Sequence, residues 1–253
     1  MDITPVTGAA AATPPVKRAH AVEPSHPRWQ HFVLALLAAV GLVAVAIVVG
    51  SQIPDTTSAD RQISQWFADR RSPGWNTISA FFSQMASTMV VLAIALAVLL
   101  IELFRRHRDG VWLIVVAMAG EVTMFLTITA IVDRPRPKVP HLDSAPPTSS
   151  FPSGHTFATF VLWTTIAVIA TVHLWPLVFR VLTRVLAVLM PAAVALSRVY
   201  RGMHHPTDVT ASIVLGALWL TVVVFLFTPR RNRGSSGVAS SHNLNENWST
   251  RHV

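Results

Sequence analysis

The chain has 253 residues, of which 52% are apolar and 13% charged, with no cysteine and a formal net charge of +8. A water-soluble domain carries about 25% charged residues, so half the usual surface charge is missing, and the mean hydropathy of +0.50 agrees. Disulfide scaffolds, thiolate metal sites, cysteine nucleophiles, collagen and wholly disordered chains are thereby excluded, and a membrane is the expected solvent.

Residues 1–28 are rich in Ala, Pro, Thr and Val without a helical or strand period, and are predicted to be a disordered cytoplasmic tail. Six apolar runs follow, each long enough to span a bilayer, which takes about 20 helical residues. They cover residues 31–50, 78–104, 111–132, 155–173, 181–199 and 209–227. The predicted fold class is an all-α polytopic membrane protein of six transmembrane helices. Between the first two runs, Ile63, Trp66 and Phe67 form one helical stripe, with Arg61, Gln65 and Asp69 on the other side. This predicts a short interfacial helix in the first outer loop. The domain of interest is residues 29–230, and the Ser/Asn-containing stretch 231–253 is predicted to be a second disordered cytoplasmic tail.

Basic residues set the orientation. Twelve of the 20 Lys and Arg fall in the two tails, at Arg230 beside the second, around residues 105–108 and at Arg180 and Arg184. Those segments are read as cytoplasmic. The charge flanks membrane runs rather than forming one basic stripe, so no nucleic-acid partner is expected. Trp29, Trp75, Trp112 and Trp175 border the spans as interface anchors.

Three outer connections carry the candidate chemistry. The first is Asp133-Arg134-Pro135-Arg136-Pro137-Lys138, where the prolines stiffen the backbone and two guanidiniums suit bidentate phosphate contact. Asp133 would pair with one of those arginines. The second is Pro152-Ser153-Gly154-His155, a capped helix start with free N–H groups and a histidine in the first turn. The third is Ser197-Arg198, five residues, His204, three residues, Asp208. Its i, i+4 spacing allows the Asp208 carboxylate to meet the His204 imidazole and hold one tautomer. Taken singly, each also fits a plain reading: a basic turn at lipid headgroups, a capped helix with an incidental histidine, a structural His–Asp bond. Glu121, inside the third run, reads first as a structural carboxyl, although intramembrane acids are often functional.

In order and spacing these segments resemble the type 2 phosphatidic acid phosphatase superfamily of membrane phosphatases. The family pattern is Lys, six residues, Arg-Pro, then Pro-Ser-Gly-His, then Ser-Arg, five residues, His, three residues, Asp. Arg136-Pro137, residues 152–155, Ser197-Arg198, His204 and Asp208 match it, and the likeness spans about residues 31–228. The resemblance implies that His204 is the nucleophile, Asp208 its orienting carboxylate and His155 the general acid and base. It implies phosphate binding by Arg136, Arg198, Ser153 and Gly154, with a phosphohistidine intermediate. It selects His204 over the adjacent His205. The family's Lys falls on Thr129, so either Arg134 replaces the missing charge or the substrate needs one charge fewer. No metal and no other cofactor is expected, since arginines supply the positive charge.

The expected function is a membrane phosphatase of the bacterial cell membrane, acting on a lipid phosphate or polyprenyl diphosphate at the extracytoplasmic face. The bacterial assignment follows from the Arg-over-Lys, Ala/Val-rich composition. The alternatives are a lipid phosphotransferase of the same superfamily and a non-catalytic lipid-phosphate-binding membrane protein. Partners are the lipid substrate and bulk membrane lipids.

Overall fold

In the computed structural model, residues 29–53, 57–145 and 147–228 are described. The predicted tails, 1–28 and 231–253, lie outside them. Among the described residues the protein is entirely α-helical: α1 (Trp29–Gln52), α2 (Ser58–Asp69), α3 (Pro73–Met85), α4 (Thr88–Phe104), α5 (Arg108–Ile131), α6 (Gly154–Val172), α7 (Leu177–Tyr200) and α8 (Pro206–Phe227). Among the described residues five helices are long and apolar enough to cross a membrane, and α3 with α4, bent by 47° at a short break, meets the same length and apolarity only as a pair.

That bend modifies the expected unbroken run over residues 78–104. The helix starts earlier, at Pro73, where Ser72 accepts the Trp75 N–H at 3.5 Å and Pro73 needs no donor of its own. It breaks at Ala86–Ser87, because Ser87 takes an extended backbone (ψ 149°) before α4 resumes. Short polar residues on α3, Ser79 and Ser83, are buried against the end of α7 rather than turned to the outside.

Helix α6 is the central element. It buries residues around most of its circumference, including Phe157, Val161, Leu162, Ile166 and Ile169, and packs on α4, α5, α7 and α8. A helix apolar all round belongs inside a bundle. By contrast, α1 buries only Ala35, Ala46 and Gly50 and leaves a row of Leu and Val exposed, as a lipid-facing outer helix does. Trp219 of α8 is buried and donates its indole N–H to the Ala117 carbonyl on α5 at 3.0 Å, so no polar atom is stranded there.

The predicted helix in the first loop is α2, capped by Thr57, whose hydroxyl accepts the Asp60 N–H at 3.0 Å. Its polarity is inverted relative to a soluble helix. Asp60 and Ser64 are buried, while Ile63 and Trp66 are 40% and 51% exposed.

Candidate active site

At one end of the bundle the C-termini of α5 and α7 meet the N-termini of α6 and α8. The segment after α5 runs without regular secondary structure through Pro135 and Pro137. It is pinned to the α6 entrance by the Ser150 N–H to the Arg134 carbonyl (2.8 Å) and the Arg134 N–H to the Ser149 hydroxyl (3.3 Å). Arg71 holds the outer part, donating to the Tyr200 carbonyl (2.9 Å) and the Pro140 carbonyl (2.7 Å).

Three distant segments therefore share one cavity of about 770 Å³. Its polar end is lined by Arg136, His155, Arg198 and His204, with Gly154 and Thr129 beside them. Its other end is lined by Val91, Leu92, Met118, Val122 and Leu126, with Glu121 among them. Arg136 is held by the Met203 carbonyl at 2.7 Å, and Arg198 by the Ser83 hydroxyl at 2.7 Å and Asp143 at 2.9 Å. Each guanidinium is thus aimed, while five donors per group leave N–H capacity for an anion.

His204 is buried, and its Nδ1 lies 2.7 Å from the Ser150 carbonyl oxygen. A carbonyl only accepts, so Nδ1 carries the proton and Nε2 the lone pair. Burial, then the nearby Arg198 and Arg136 charges, hold this imidazole well below the ordinary histidine range, so it is neutral at physiological pH. His155 is close enough for its own charge to act on His204.

Four expectations are corrected here. The direct His204–Asp208 hydrogen bond is replaced by the Ser150 contact, since the nearest carboxylate oxygen is 3.9 Å from Nδ1. Asp208 instead accepts from the Ser150 hydroxyl, the His205 N–H and Arg134. It therefore fixes the residue that fixes His204. Arg134 does not reach the cavity as a phosphate ligand. It is 2% exposed and ion-paired to Asp208 and, at 2.9 Å, to Asp60 of α2, because two buried carboxylates on adjoining helices demand a cation between them. Asp133 is exposed and is not the partner of that pair. Ser153 also has its groups engaged. Its hydroxyl meets Thr156 Oγ1 at 3.0 Å, its N–H donates to Ser212 at 2.8 Å, and its wholly buried side chain does not line the cavity. Gly154 does border the cavity, and a Cβ there would stand 2.8 Å from the Phe125 ring of α5, so the helix start and α5 approach closely only because it is glycine.

Several participants are not apparent from sequence. Asp143 joins Arg198 to Arg201, accepting at 2.9 Å and 2.6 Å. Burial alone would raise its carboxyl, but the hydrogen bond from Arg201 and the charges of both arginines hold it below the usual carboxylate range. Asp60 behaves likewise: burial opposes ionisation, and donors on Thr207, Thr57 and Arg134 overcome it. The one available signal was the i, i+3 spacing of Arg198 and Arg201. Nothing local marks Asp60, Asp143 or Ser150.

A helical bundle with up to six spans and a cavity joining two arginines and two histidines to apolar side chains defines a multi-pass membrane protein with an arginine- and histidine-lined site. The PAP2 superfamily profile matches residues 110–233, which take in all three segments, and the chain belongs to that superfamily. Two solved structures share the fold. One is a PAP2-type phosphatidylglycerolphosphate phosphatase from Bacillus subtilis, 21% identical, TM-score 0.64, covering 81% of this chain and 98% of that one. The other is LpxE from Aquifex aeolicus, 20% identical, TM-score 0.54, covering 69% and 99%. No curated protein matches the chain in sequence.

Proposed function

We propose that the protein is a membrane phosphatase that removes phosphate from a lipid phosphate or polyprenyl diphosphate at the extracytoplasmic face of a bacterial membrane. The observation that carries this reading is the two-ended cavity, cationic where the histidines lie and apolar along α4 and α5. A phosphorylated lipid has the same two-ended chemistry. The exposed Ile63 and Trp66 of α2 suit contact with lipid beside the site, which supports reading α2 as an interfacial helix.

In this mechanism, Nε2 of neutral His204 attacks phosphorus in line, and the phosphorus–oxygen bond to the lipid breaks. His155 donates a proton to the departing oxygen. It then takes a proton from water, whose oxygen attacks the phosphohistidine, and the N–P electron pair returns to Nε2 as phosphate leaves. Arg136, Arg198 and the backbone at Gly154 hold the phosphoryl oxygens, preorganised for charge that grows in the transition state. Asp208 positions His204 through Ser150.

The test is phosphate release by detergent-purified protein from phosphatidic acid and from polyprenyl diphosphate, with covalent phosphate followed in parallel. Turnover with water as acceptor is expected. His204→Ala should abolish covalent incorporation, whereas His155→Ala should retain it with a leaving group that needs no proton. Release only with an added lipid alcohol identifies a transferase, and no turnover with either lipid overturns the reading.

A further inference from the structure

The other end of the bundle holds a second cluster. Glu102 lies in the last turn of α4, His107 precedes α5, and His173 follows α6. His155 opens α6 and His173 ends it, so the cluster sits about 27 Å from the phosphate site at 1.5 Å per residue. Glu102 is wholly buried, and its Oε2 is 3.2 Å from His107 Nδ1 and 3.4 Å from His173 Nε2. The other carboxylate oxygen, Oε1, is buried without a hydrogen-bond partner, and so is His173 Nε2. The carboxylate is pressed on the α5 backbone, where a Cβ on Gly110 would stand 2.1 Å from Oε2.

Such an arrangement is costly as a polar cluster alone, because a buried carboxylate with an orphan oxygen lacks compensation. It is well suited to a metal ion. Three donor atoms at about 2.1 Å from one tetrahedral ion stand about 3.4 Å apart. The two separations to Glu102 Oε2, 3.2 and 3.4 Å, match that spacing, and all three donor atoms lie within 4.8 Å of one another. We propose that Glu102, His107 and His173 form a binding site for a divalent transition metal of the zinc class, with water as fourth ligand, that ties the α4–α5 turn to the α6–α7 turn.

The donor set is two imidazoles and one carboxylate, which favours such ions over calcium or magnesium. The two rings are now stacked, 4.1 Å apart and 1° from parallel, so binding requires one to turn about its Cβ–Cγ bond. His107, with a side chain 33% exposed, has room to do so. Burial, with His107 and Arg105 nearby, pushes His173 down to about 4, which keeps it in the neutral form a metal needs. The Arg105 charge opposes a cation, but its guanidinium is drawn over the Trp175 ring, 5.9 Å from the centroid.

The full chain, purified in detergent without a histidine tag and stripped with EDTA, would be titrated with Co²⁺ and followed by ligand-field absorption. One Co²⁺ per chain is expected at this site, displaced by Zn²⁺, with a rise in Tm. Losing a ligand costs at least what losing an outer-shell partner does, so Glu102→Gln and His173→Asn should each weaken Co²⁺ binding by about 10- to 100-fold or more. His204→Ala should leave it unchanged. If the buried positions do not tolerate substitution, His107→Ala serves, because that side chain is partly exposed. Absence of the absorption bands, or bands that persist at parental affinity in a folded His107→Ala or His173→Asn protein, overturns the proposal.

Discussion

His204 and Ser150 are joined by a 2.7 Å hydrogen bond from the imidazole Nδ1–H to a backbone carbonyl. The carboxylate of Asp208 stands one step behind, bonded to the hydroxyl of that same serine. A side-chain change at Ser150 therefore leaves the imidazole's acceptor in place but loosens it. Ser150→Ala should lower kcat by about tenfold with KM little changed, since leaving a buried polar group unpaired costs roughly 1–3 kcal/mol. Parental kcat in that variant would show that Asp208 does not act through Ser150.

Arg134 and Arg136 are two residues apart and should fail in different ways. Arg134→Ala leaves Asp60 and Asp208 buried without their shared cation, so stability should fall by about 3–5 kcal/mol, as when one member of a buried ion pair is removed. Arg136→Ala should keep its Tm and lose turnover, because Arg136 faces the cavity. Equal melting temperatures with equal activity loss would contradict this separation.

Thr129 lines the same cavity, and its hydroxyl donates only a long bond, 3.4 Å, to the Phe151 carbonyl. With Arg134 committed elsewhere, the missing family lysine is not compensated by it. Thr129→Lys should raise kcat/KM on a lipid phosphate, by up to about tenfold if a charged hydrogen bond worth roughly 1.5 kcal/mol forms. Reduced turnover with unchanged folding would mean that the cavity already holds enough positive charge.

Acid should weaken the fold before it titrates the nucleophile. In the unfolded chain a histidine takes up a proton below about 6.5. Folded His204 resists protonation well below that, and folded His173 resists it down to about 4. The unfolded state then binds more protons, so stability falls as pH drops below 6.5. Tm of EDTA-stripped protein in detergent should decline between pH 6.5 and pH 4, and less steeply in His173→Asn. A Tm that is flat or rises over that range would refute the buried-neutral assignment.

Sidedness is open to a direct test, since the chain has no cysteine. Ser144 borders the cavity, and Ser235 lies in the predicted cytoplasmic tail. An impermeant thiol reagent on intact cells should label Ser144→Cys and spare Ser235→Cys. The reverse pattern would put the cavity on the cytoplasmic side.

From the sequence alone, the low charge, the long apolar runs and the three spaced motifs were enough for a helical membrane protein of the PAP2 superfamily. These properties are local or periodic, and each run or motif carries its own signal. His155, His204, Arg136 and Arg198 were legible for the same reason, and the structure gathers them at one cavity. Packing decided the rest. Arg134 looks like a second phosphate ligand in the chain, yet α2 and α8 bring two carboxylates to it and bury all three. The bond that sets the His204 tautomer comes from a main-chain carbonyl, which every residue possesses and no sequence distinguishes. Asp143, 55 residues before Arg198, and the cluster of Glu102 with His173, 71 residues apart, meet only because α6 runs from one end of the bundle to the other beside α4 and α7. Burial then gives those encounters their weight, since a charge withdrawn from water must find its partner inside the protein.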